Sequence, residues 1–179
     1  MAATMLIREK NGAGETATDK TSGTVRFKNA DNATVDTNNP LVVPTANTEY
    51  SFRKVLRLNV NGTFTEVSNL RAYSDGANGL GTGRKMWVNN TNETSYTQGT
   101  VPTETNDPPQ WPGSTPMVDW FGMTSGSPKD LDAGNTGPFN SSGVPKDIGD
   151  YLNLVAELET TASQGIWPGE TATFAWDEI

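Results

Sequence analysis

The sequence predicts an all-β chain, an antiparallel β-sandwich carrying one long irregular insertion. Apolar residues make up only 34% of it, and threonine, asparagine, glycine and proline, which favour strands and turns over helices, fill the difference. Several short segments alternate apolar and polar side chains, the period of two expected of a strand with one buried face. Turn signals separate these segments into roughly seven to nine strands, which points to an Ig-like or jelly-roll-like arrangement. A length of 179 residues suits one domain spanning 1–179.

Residues 1–22 are polar and glycine-containing around a single apolar knot at Met5, Leu6 and Ile7, and read as an N-terminal arm or a first edge strand. In "TVRFK", Val25 and Phe27 face one way; "NADNATVDTNNP" is turn material, and "PLVVP" is a short apolar strand between Pro40 and Pro44. The strongest strand is "YSFRKVLRLNV". Tyr50, Phe52, Leu56, Leu58 and Val60 share a face broken only by Lys54, while Val55 is the apolar exception on the other. Asn61-Gly62 then signals a hairpin, because both residues tolerate positive φ. "TFTEVSNLRAYS" supplies Phe64, Val67, Leu70 and Tyr73, and "RKMWVNN" resumes extended structure after a glycine-rich connection. Towards the end, "YLNLVAELE" places Leu152, Leu154, Ala156 and Leu158 on one face; "WPGE" makes a turn, and "TATFAWDE" turns Ala172, Phe174 and Trp176 inward.

Between Thr100 and Asp150 the alternation stops, and eight of the chain's 11 prolines fall there. Structureless loops longer than about 12–15 residues are uncommon in compact domains and are usually functional or disordered. The aromatic content of "PPQWPGSTPMVDWFGMTSG" argues against disorder. Its side chains either close one end of their own sandwich or dock on another molecule; tryptophan and methionine are enriched at interface cores. The candidate anchors are Trp111, Met117, Trp120, Phe121 and Met123, with Leu6 and Ile7 of the N-terminal arm.

Charge and composition exclude several functions. With 13 basic and 21 acidic residues the formal charge is -8, and no Lys/Arg cluster offers the basic face a nucleic acid needs. The chain has no cysteine and no histidine. Disulfides, the usual zinc sites and Ser-His or Cys-His nucleophiles are therefore excluded. No stretch approaches the roughly 20 apolar residues that span a bilayer, and the N-terminal apolar run is shorter than a secretory signal requires. "GLGTGRK" lacks the spacing of a phosphate loop and precedes a strand instead of a helix. Asp31, Asp36, Asp75, Asp107, Asp130 and Asp132 form no calcium-loop series, "KDLDAGN" being the best place for one. Nothing selects a carboxylate pair for glycoside hydrolysis. No catalytic residue, metal or cofactor is expected.

"FRKVLRLNVNGTFTEVSNLRAYSDG" and "WPGETATFAWDEI", together something over a third of the chain, resemble virion structural proteins of tailed bacteriophages. The resemblance implies a non-enzymatic β-sandwich in many copies on a phage particle, a capsid decoration or head-tail component assembled in the host cytoplasm. Its partners would be other virion proteins, major capsid or tail and neck subunits, and itself, with no nucleic acid and no membrane. The alternative is a carbohydrate-binding domain that stacks sugar rings on exposed tryptophans; an enzyme comes third.

Overall fold

The computed structural model describes residues 2–89, 92–102, 109–110 and 116–179. Trp111 and Asp107 lie outside the described residues. Among those described, ten strands form two antiparallel sheets facing one another. The large sheet runs β2 (Thr16–Asp19), β1 (Ala3–Asn11), β4 (Lys54–Gly62), β9 (Lys146–Glu159), β6 (Arg84–Val88), β7 (Val118–Asp119). β3 (Thr48–Tyr50) continues the β4 side of β9, pairing Tyr50 with Glu157 where β4 pairs Lys54 with Leu154. The small sheet is β10 (Thr173–Glu178), β5 (Val67–Tyr73) and β8 (Lys129–Asp130). No described helix is long and apolar enough to cross a membrane.

The core lies between the sheets. Leu56, Leu58 and Val60 of β4 and Ile148, Leu152 and Leu154 of β9 meet Val67, Leu70 and Ala72 of β5. Each of the leucine, isoleucine and valine side chains among them, when fully buried, contributes about 1.5–3 kcal/mol relative to exposure. Spacing in β5 departs from two because Asn69 takes positive φ (56°), so Val67 and Leu70 both reach the core. A bulge in β9 opposite Arg57 lets Gly149 (φ 69°) pass within reach of Leu131; a Cβ there would sit 2.5 Å from the Leu131 carbonyl oxygen.

Several expectations need correction. Residues 1–22 are not an arm: β1 is an inner strand of the large sheet, paired along its length with β4 and folded back on β2. Gly62 does take positive φ (98°), but Asn61-Gly62 closes no hairpin. β4 and β5 belong to different sheets, so the chain crosses the sandwich there. "TVRFK" and "PLVVP" are in no strand; Val25 and Phe27 do pack on the core, without a ladder partner. The 101–150 segment is not one loop, since it supplies β7, β8 and the start of β9.

The apolar face of "YLNLVAELE" is confirmed, yet the polar face is buried too, because loop segments cover it. Tyr50, Trp87, Met117 and Val155 form a second small core there. Beside them lies a polar patch: Lys10 Nζ is 2.6 Å from Asp147 Oδ2 and 3.2 Å from Glu15 Oε1, and the Tyr151 hydroxyl donates to Glu15 (2.6 Å). The Arg57 guanidinium stacks 4.2 Å above the Tyr151 ring.

Candidate functional site

The segment that holds most of the predicted anchors rounds the edge of the large sheet. Val118 and Asp119 pair with Val88 and Trp87 of β6, leaving Met117 on the outer face and sending Trp120 into the core between the sheets. A single 3-10 turn, residues Trp120–Gly122, makes the corner. Asp119 caps it by accepting the Phe121 amide at 3.0 Å, and the Met123 amide donates to the Trp120 carbonyl at 3.0 Å. The Ser74 amide, just past β5, then donates to the Met123 carbonyl at 2.8 Å, which ties the corner to the small sheet.

Trp120 and Met117 are each 1% exposed, and Phe121 is also buried. A side chain with no open surface cannot anchor a partner, so these three serve their own domain; Met123 packs half-buried against the same core. Leu6 is half-buried on the outer face of β1. Ile7, on the inner face, is the one N-terminal candidate that reaches an open site.

That site is a cleft of about 750 Å³. The small sheet has three strands against seven and leaves one end of the large sheet's inner face uncovered. Ile7 of β1, Leu56 of β4, Leu154 of β9 and Met86 of β6 form its floor, and Trp120 and Leu80 also line it. One wall is residues 24–27, through Val25 and Phe27; the other is 166–174, through Trp167 and Phe174. A volume in the range of about 300–1,000 Å³, an apolar lining and a few polar groups are the usual attributes of a binding cleft.

Its rim is where large apolar side chains lie open to solvent. Ile166 is 99% exposed and Val35 66%, both lining the mouth, and the exposed Val42 follows the cleft residue Leu41. The only other large hydrophobic exposed among the described residues is Ile179. Exposed apolar residues grouped around a concave site mark an interaction surface far better than scattered ones do.

Buried charge holds the first wall, which has no secondary structure of its own. Glu9 and Lys54 are both 0% exposed, 3.3 Å apart, and Lys20 Nζ lies 3.4 Å from the other Glu9 oxygen. The ammonium groups donate to backbone carbonyls of the irregular segment: Lys54 to Asn32 at 3.0 Å, Lys20 to Ala33 at 2.8 Å and to Thr24 at 3.1 Å. Lys28 donates to Asn32 Oδ1 (2.6 Å) and to the Thr34 carbonyl. Burial, and then the charge of Lys54, push the Lys28 pKa below the ordinary lysine value. This network explains Lys54, the apparent break in the β4 pattern: its inward charge answers Glu9 and ties down the irregular segment at Asn32.

Elsewhere, Asp130 and Asp132 stand together, and burial with a hydrogen bond between them raises the Asp132 pKa. Among the described residues no group of three or more potential ligands could hold a metal ion. None of the described tryptophans is exposed; Trp167 and Trp176 are half-buried, Trp87 and Trp120 buried. Sequence reasoning missed Ile166 and Trp167. The signal was present: "IWPG" sets two large apolar residues beside a proline and a glycine, the same anomaly that singled out the 108–126 stretch. No protein-family model matches the chain, and neither a curated protein nor a solved structure matches it.

Proposed function

We propose that this chain is a non-enzymatic structural component of a virion, a capsid decoration or head-tail protein, that docks on neighbouring subunits with the cleft and its apolar rim. The observation that carries the docking is the exposure of Ile166 and Val35 at the mouth of a preformed apolar cleft. The virion assignment rests on the resemblance of the β4–β5 stretch and the final strand. Removing such a rim from water on assembly supplies roughly 25 cal/mol per Å² of apolar area covered. Particles banded on a density gradient from the cells that make the chain should contain it in fixed ratio to the shell protein. Recovery of the chain solely from the soluble fraction would refute this reading.

A carbohydrate-binding reading needs an open aromatic face; among the described tryptophans Trp87 and Trp120 are buried and Trp167 and Trp176 half-buried.

A further inference from the structure

The two walls of the cleft share a property beyond their apolar side chains. Residues 24–27 and 166–172 lie in no strand, turn or helix, and no backbone hydrogen bond joins either run to another segment of the described chain. Lys20 Nζ reaches the Thr24 carbonyl, but the peptide groups of Val25, Arg26 and Phe27 keep no described partner. The second wall continues into β10, which is the edge of the small sheet and pairs with β5 on one side alone. Backbone N–H and C=O groups are obligatory hydrogen-bonding groups, so these rows stay in water until another chain pairs with them. Val25 and Phe27 alternate inward with Arg26 outward, as in a strand, although no neighbour makes them one.

We propose that the cleft is the slot of a missing strand, and that its occupant is one extended segment of a partner subunit. The inference rests on the docking reading above and names what docks. The occupant would pair with the outer edge of β10 and on its other side with residues 24–27, adding a fourth strand to the small sheet. Every second side chain would drop onto Ile7, Leu56 and Leu154, while the intervening ones face solvent. In strand addition of this kind the main chain supplies affinity and the pockets for alternate side chains supply specificity. Arg26 is exposed on the wall and forms no ion pair among the described residues, so the occupant carries a carboxylate on its solvent face opposite that guanidinium. The cleft therefore takes an apolar-alternating, acidic peptide; a lipid chain would leave both backbone rows unpaired.

The test uses the full chain and a panel of capped peptides of about seven residues, alternating valine, isoleucine or leucine with threonine and bearing one outward aspartate. Saturable binding is expected from tryptophan fluorescence, because Trp167 and Trp120 line the cleft. Amide exchange at 25–27 and 171–175 should slow, and N-methylation of alternate peptide amides should weaken binding by about tenfold or more. Arg26→Glu, an exposed change, should shift preference from aspartate to lysine peptides. Equal binding of the N-methylated peptides would overturn the strand pairing. An unchanged charge preference in Arg26→Glu would overturn the acidic occupant. No binding by any member at about 1 mM, a free energy of only about 4 kcal/mol, would overturn the slot itself. Presence of the chain on particles is measured separately and would still stand.

Discussion

Replacing Trp120 by alanine separates a core residue from a docking anchor. The side chain is 1% exposed and belongs to the main core. A tryptophan buries about 150–250 Å²; at about 25 cal/mol per Å² its transfer is worth about 4–6 kcal/mol. Alanine keeps the first carbon, while the cavity left behind adds to the loss, so the expected cost is about 3–5 kcal/mol. Against a total stability of about 5–15 kcal/mol that is a large fraction. The melting temperature should fall by about 10 °C, taking about 2–4 °C per kcal/mol for a chain of this size. Urea unfolding followed by far-UV circular dichroism measures it without relying on tryptophan emission. Ile166→Ala, at the 99% exposed rim, is the control and should change stability by less than about 0.5 kcal/mol. A Trp120→Ala cost below about 1 kcal/mol would refute the placement of this side chain in the core.

Glu9→Gln should destabilise by about 3–5 kcal/mol in urea unfolding, because it leaves Lys54 buried without its counter-charge; a cost near zero would mean the network does not hold the cleft wall. Asp147 responds to acid. Burial raises its pKa, but hydrogen bonds from Lys10 and Asn59 and the Lys10 charge outweigh this and hold it below the ordinary 3.8. The stability it contributes is therefore complete above the unfolded value and is lost as pH falls through the lower folded one. Asp147→Asn should flatten the stability profile below about pH 4, read from urea midpoints across pH. Burial, with Asp31 near Tyr96 and the bond to Glu15 at Tyr151, raises both hydroxyls to about 12. The folded state then holds protons that the unfolded state releases from about pH 10, so stability falls as pH rises from there to 12. Ultraviolet titration should show two tyrosines ionising near 12, and their ionisation near 10 in the folded protein would contradict the burial.

The strands were legible wherever one face is buried and the other polar. The inward row of β4 and the Leu152–Leu158 face of β9 could both be read from period two alone, whereas Val67 and Leu70 of β5 are three apart and share the core only through the positive φ of Asn69. Partnership could not. Val25 and Phe27 alternate as well as any strand, but pairing is a long-range property, and the chain supplies no neighbour for them. The same limit hid the sheet change after Asn61-Gly62, since a glycine with positive φ turns the chain without saying where it lands. Lys54 was visible as an exception and uninterpretable without Glu9, which lies 45 residues earlier in the sequence. For the site, the rule that large apolar residues among prolines and glycines mark something unusual was sound. It pointed to Trp120, which turned out to round a sheet edge and fill the core, and it applied equally to Ile166 and Trp167 at the cleft.

Hydrogen exchange, compared between the isolated chain and the chain on the particle, tests the docking cleft most directly. Residues 24–27 and 166–172 should exchange fast in isolation and slowly in the assembly, while 117–123 stays slow in both. If 24–27 and 166–172 exchange at the same rate in both states, the cleft is not where this protein docks.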